Sequence, residues 1–156
     1  MSNDILCTMK HDAIMSISRI HAMTQKWLTD ELAAAGMAGV VPSHGDVLAC
    51  LFRNGPTAMH DLAAFSHRTR PTTTVLVDKL EQMGLIRRER SEDDARQTVV
   101  ALTDAGEALR GKFESISRRL VRLVYSPLEK GEAEIFEGLL GKILATLKTK
   151  TERKDK

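Results

Sequence analysis

Residues 55–106 read GPTAMHDLAAFSHRTRPTTTVLVDKLEQMGLIRRERSEDDARQTVVALTDAG, and the order of signals in this stretch decides how the chain folds. Thr57 can cap a short helix whose Leu62, Ala63 and Phe65 face inward. A tight turn follows at Ser66-His67-Arg68, without the glycine often found in such turns. Pro71 suits the first turn of a second helix, where its missing N–H would be unpaired in any case. That helix runs to about Met83, and Gly84 stops it. Thr73, Leu76, Leu80 and Met83 share its buried side. Arg70, Thr74, Asp78 and Gln82 fall opposite, with Val75 on the edge. Leu85–Ser91 and Gln97–Leu102 read as two strands joined by the polar tip SEDDAR, and Thr103 caps a further long helix.

Helix, turn, threonine-fronted helix, then a hairpin is the order of a winged helix-turn-helix, a module that lays its second helix in the major groove of DNA. The flanking sequence is helical. From about Asp4 to Ala35, the residues Met9, Ala13, Ile17, Ile20, Met23, Trp27 and Leu28 recur at three- and four-residue steps, and Gly36 is a natural stop. A helix follows from Ser43, with Ser43 and Asp46 as an S-x-x-D cap. Val47, Leu48, Leu51 and Phe52 form its buried face, and Asn54-Gly55-Pro56 its end. Beyond Thr103 a stripe of Leu109, Phe113, Ile116, Leu120 and Leu123 is coiled-coil-like, and Ser126-Pro127 breaks it. A last helix from about Glu129 carries Phe136, Leu140, Ile143 and Leu147. The tail, residues 148–156 (KTKTERKDK), reads as a disordered charge run.

Composition narrows the class without naming a partner. In 156 residues the apolar share is 42%, aromatics are only 4%, and the formal net charge is +2, so the core must be aliphatic. Between Arg53 and Val100 the cations are Arg53, Arg68, Arg70, Lys79, Arg87, Arg88, Arg90 and Arg96. The anions are Asp61, Asp78, Glu81, Glu89, Glu92, Asp93 and Asp94. That near balance leaves placement of charge, not its sum, to argue for nucleic acid. Two cysteines are too few for a secreted disulfide framework. No run approaches the ~20 apolar residues of a membrane span, and MSNDILCTMKHD is not a signal peptide. The expectation is a cytoplasmic protein with no membrane partner. No nucleophile–base arrangement or phosphate loop is present, so no enzyme activity and no cofactor are expected. The histidines, His11, His21, His44, His60 and His67, show no metal-ligand spacing.

The most specific string is GLIRRERSEDDARQTVVALTDAG. It resembles the wing of the MarR family of bacterial regulators, with Asp-x-Arg at the tip (Asp94, Arg96) and Leu-Thr-x-x-Gly opening the next helix (Leu102, Thr103, Gly106). VLVDKLEQMGLI is similar to the end of that family's recognition helix, and the order of elements matches over roughly residues 5–147. The fold class this implies is mainly α, with a winged helix-turn-helix lobe bearing a two-stranded β-wing and a helical dimerisation lobe. The chain then forms a single domain over residues 1–156. Residues 4–35 and 104–147 supply the dimerisation helices, and residues 43–103 the winged lobe. The resemblance implies a homodimer on double-stranded DNA, with two recognition helices about 34 Å apart on a palindromic operator. It further implies a regulator, expected to be a repressor, released by a small aromatic or phenolic ligand in a cleft. Here Met9, Ile20, Trp27, Leu48 and Phe52 would line that cleft, although the same residues suffice for a dry core.

Arg70, Thr72, Thr74 and Val75 stand at the front of the second helix. Threonine hydroxyls can bond phosphates or base edges, and the methyl groups of Thr or Val can pack on thymine. The competing reading is that Thr72 and Thr73 only cap and pack, and for Thr73 packing is favoured. Many members of the family carry a polar or basic residue where Val75 stands. The resemblance assigns Arg96 to the minor groove and Asp94 to holding the wing tip. A surface ion pair of Arg96 with Asp93 or Asp94 is the plain alternative. Arg68, His67 and Lys79 are candidate phosphate contacts, and Arg87 and Arg88 either join them or face solvent. A sensing thiol at Cys7 is the alternative mode of regulation. A protein-binding winged helix is the alternative to DNA binding, and a thiol-based enzyme is a third reading that lacks a base. Cys50, among Leu48, Ala49, Leu51 and Phe52, reads as core.

Overall fold

The computed structural model describes residues 12–91 and 97–152. The chain divides into two compact units, residues 1–117 and 118–156. In the first unit, α1 spans Asp12–Ala34, α2 Pro42–Asn54, β1 Thr57–Ala58, α3 Met59–Phe65 and α4 Arg70–Gln82. They are followed by β2 (Ile86–Arg90), β3 (Thr98–Leu102), the one-turn α5 (Asp104–Glu107) and α6 (Arg110–Tyr125), which runs on into the second unit. The second unit is completed by α7 (Glu132–Glu152).

The first unit is built on one aliphatic core. Val47, Leu48, Leu51 and Cys50 of α2 meet Leu62 of α3, Leu76, Val77 and Leu80 of α4, and Ile86 and Val100 of the sheet. Partly buried Trp27, Phe52, Phe113 and Leu109 pack around it. With so few aromatics, the Phe52–Phe113 pair, ring centroids 5.4 Å apart, is the main aromatic contact between α2 and α6. Arg110 strengthens that seam: its guanidinium lies 4.9 Å from the Phe52 ring centroid and donates to the Phe52 carbonyl at 2.6 Å.

Several expectations for single residues are corrected. The Ser43 helix begins at Pro42 with Val41 as its cap residue, because His44 rather than Ser43 completes the cap: its Nδ1 accepts the Val41 N–H at 3.2 Å. Thr57 does not cap α3. It lies in β1, which pairs with β3 in the register Thr57↔Val100 and Ala58↔Val99, and its hydroxyl donates to the Gly55 carbonyl. The wing hairpin β2–β3 (Ile86↔Leu102 to Arg90↔Thr98) is two-stranded as expected, and β1 extends it to a three-stranded antiparallel sheet of order β1-β3-β2. Thr103 does cap a helix, accepting the Gly106 N–H at 3.1 Å, but α5 stops after one turn, before the stripe helix begins at Arg110. The C-terminal charge run is helical through Glu152, since α7 continues through Lys148 and Lys150. That helix starts at Glu132, one turn later than expected, with the Glu132 carboxylate accepting the Glu129 N–H at 2.7 Å.

Candidate nucleic-acid interface

The sequence around Thr69 makes a well-mounted helix. Thr69 is the cap of α4. Its Oγ1 accepts the Thr72 N–H at 3.4 Å and lies 2.9 Å from the Thr72 hydroxyl. Pro71 occupies the first turn as expected. The turn before it needs a left-handed residue, and His67 supplies it at φ 51° where a glycine is common. Thr73 is fully buried and its hydroxyl donates to the Thr69 carbonyl at 3.0 Å, so it packs and braces the first turn. With Leu76, Val77 and Leu80 buried beside it, the inner face of α4 is clamped to the core. Gly84 at φ +70° lets the chain reverse, and the Leu85 N–H reaches back to the Leu80 carbonyl at 3.0 Å.

The outer face of α4 is open. Arg70, Thr72, Thr74, Val75 and Lys79 are all exposed, Val75 by 53%. The Thr74 hydroxyl donates to the Arg70 carbonyl at 3.0 Å, which leaves its lone pairs and methyl group facing out. Arg68 leans on Asp46 of α2 at 3.2 Å. The charge of Lys79 reaches back to α2, where it adds to burial in holding His44 below the ordinary histidine pKa. Asp94 and Arg96 lie outside the described residues, as do Met9 and Cys7. Of the expected ligand-cleft residues, Leu48 is fully buried in the core, Trp27 and Phe52 pack against it, and Ile20 is exposed.

Five residues at this face were missed in the sequence, Ala58 among them. Met59, His60, Gln97 and Thr98 join Ala58, Arg70 and Thr74 around a trough of about 420 Å³. It opens between the start of α3, the front of α4 and the start of β3. The two-residue strand β1 creates it by pairing with β3, and a two-residue strand leaves no periodicity to read. His60 also sits 3.0 Å from the Asp61 carboxylate. Two of the three arginines of β2 are committed within the protein: Arg87 to Glu89 and the Leu102 carbonyl, Arg88 to Asp78 and Glu81.

A clamped inner helix face, an open outer face and a hairpin beside it define a winged helix-turn-helix protein. Comparison with known proteins narrows this. Residues 42–98 match the model of the MarR family. The chain is 36% identical over 96 residues to the uncharacterized HTH-type transcriptional regulator YfiV of Bacillus subtilis, covering 60% of this chain and 59% of that protein. It is 31% identical over 98 residues to the HTH-type transcriptional regulator MgrA of Staphylococcus aureus, covering 63% and 65%. The chain thus spans less than two thirds of the length of these curated relatives. Among solved structures, MepR of S. aureus in complex with DNA superposes with a TM-score of 0.75 at 25% identity, over 89% of this chain and 99% of that one.

Proposed function

We propose that this protein is a DNA-binding transcriptional regulator that acts as a homodimer on a two-fold operator and represses the genes beside it. The observation that carries the reading is the two-sidedness of α4. Thr73, Leu76, Val77 and Leu80 anchor it, while Arg70, Thr72, Thr74, Val75 and Lys79 are exposed on its outer side. A helix held this way can enter the major groove without paying to become ordered. The chemistry of the front then divides. Arg70 reaches a phosphate or guanine. Thr74, its proton directed to the Arg70 carbonyl, offers an acceptor to an adenine or cytosine amino group and a methyl to thymine. Val75 adds apolar contact to a thymine methyl. Phosphates flank this reading head in the trough, met by His60, Gln97 and Thr98, with Arg68 and Lys79 at its margins. Arg96, two residues from the start of β3, enters the minor groove, with Asp94 holding the tip.

A salt titration of duplex binding, using DNA from beside the protein's own gene, tests this. Arg96→Ala is expected to weaken binding, leave the oligomeric state intact, and lower the salt slope by about one counterion per wing. Unchanged affinity and slope would remove the wing from the interface. Wild-type protein that binds no duplex, but captures a protein through the same face, would establish the protein-interaction reading instead. Effector control is the finer part of the proposal. Trp27 and Phe52 are only partly covered beside the core, which leaves aromatic surface for an apolar organic acid. Trp27 is the single tryptophan, so its fluorescence should change over the ligand range that weakens DNA binding. A panel of aromatic acids that alters neither signal would argue for control by abundance alone.

A further inference from the structure

By position Arg88 looks like a phosphate contact: it is an arginine on the wing strand β2, next to the recognition helix. Its partners say otherwise. One guanidinium nitrogen binds the Asp78 carboxylate and another binds Glu81, and the Arg88 backbone N–H donates to Glu81 at 3.1 Å. Asp78 and Glu81 are three residues apart on α4, hence neighbours on its surface. Asp78 also continues the Arg70–Thr74 stripe at four-residue steps, which places a carboxylate on the DNA-facing side. A planar guanidinium with its nitrogens shared between two carboxylates fixes both direction and distance, which an ammonium would not. Arg88 is itself set in the ladder opposite Val100.

We propose that Arg88 is a positioning residue for DNA recognition: it locks the roll of α4 to the wing strand and neutralises Asp78, so that the helix front and the wing meet DNA in one register. This rests on the DNA-binding reading above. It differs from a phosphate contact in three measurable ways. In an Asp78→Asn background, which removes the carboxylate that Arg88 neutralises, Arg88→Met should lower affinity about tenfold, a loss typical of a contact-sized effect, with the salt slope unchanged, whereas loss of a phosphate contact lowers the slope by about one. In an Arg70→Ala background the cost of Arg88→Met should shrink, because a residue acting through the helix front couples to it. Arg88→Glu alone should bind far more weakly than wild type. The swap Glu81→Arg with Arg88→Glu should recover most of the loss, since the new arginine can still bridge Asp78 and the strand. Thermal melts of each variant, with binding measured well below the midpoint, keep unfolding out of the comparison. A slope reduced by about one, equal costs with and without Arg70, or a swap as weak as Arg88→Glu would each overturn the proposal. Wild-type protein that binds no duplex would overturn the function itself and this role with it.

Discussion

Gly106 shows how much one residue can decide. A Cβ there would come within 2.0 Å of the Leu85 carbonyl oxygen, which cannot move because the Thr103 N–H already binds it at 3.1 Å. The same threonine donates its hydroxyl to the Gly84 carbonyl at 2.6 Å and receives the Gly106 N–H. Leu102-Thr103-x-x-Gly106 is thus a joint that ties α5 to the turn between α4 and β2. Gly106→Ala should destabilise the fold by at least about 1–3 kcal/mol in urea unfolding, the cost of overpacking against rigid backbone. His44 is the second case. It is 3% exposed, its Nδ1 accepts from Val41, and its Nε2 has no hydrogen-bond partner among the described residues. Burial first, and then the charge of Lys79, lower its pKa from the ordinary 6.5. Because the folded value is depressed, the unfolded chain takes up a proton first. Stability should therefore be full above about pH 6.5 and fall as pH drops from there toward the folded value. His44→Gln, which keeps an acceptor for the Val41 N–H, should flatten that part of the curve. Parallel curves for the two proteins between pH 7.5 and 5 would show that His44 is not the linked group.

At the scale of elements, α4 is short and depends on its cap. Thr69 satisfies the Thr72 N–H with its side chain and the Thr73 hydroxyl with its carbonyl. Thr69→Ala should cost about 1 kcal/mol of stability. It should also weaken DNA binding by more than the folded fraction explains, since the frayed turn carries Arg70, Thr72 and Thr74. Equal fractional losses in stability and binding would mean that the first turn is not where DNA is read. The element order of this lobe was legible in the sequence because each boundary has a local cause: Pro71, Gly84, Thr103 and the alternation of the strands. The exceptions also have causes. β1 is too short for a pattern, and the cap at Val41 is made by a histidine, a residue type that does not signal a helix start.

At the scale of the molecule, the apolar stripes of the long helices are not all used within the chain. On α1, Leu32 is buried while Ile17, Ile20 and Met23 lie open, Met23 by 72%. On α7, Ile135, Leu139, Ile143, Leu144 and Leu147 are exposed, Leu144 by 65%. Apolar faces of this extent call for a cover, and a second copy supplies one in the proposed homodimer. Sedimentation should show a dimer at micromolar concentration. Leu144→Glu should shift it toward monomer and lower operator affinity steeply, because a single half-site forfeits the other's contacts. A clean wild-type monomer would rule the dimer out.

What the sequence determined by itself was periodic or local. The mainly helical class, the helix-turn-helix with its hairpin, Thr73 as packing and Cys50 as core follow from spacing and residue type, and the structure agrees on each; of the expected buried sets, Val47, Leu48, Leu51, Leu76 and Leu80 are buried, Phe52 and Met83 are half-buried, and the buried Val77 was missed. The exposed front of α4 was legible for the same reason, since a helix clamped on one side leaves the residues opposite free. Tertiary structure decided whatever depends on residues far apart in the chain. The trough needed β1 to pair with β3, which brings His60 to Gln97 and Thr98. The engagement of Arg88 within the protein needed two carboxylates, seven and ten residues away, on another element. Its charge can be read in the sequence, but its partners cannot. An arginine's role is set by which anion lies nearest in space, and only the fold brings that anion to it.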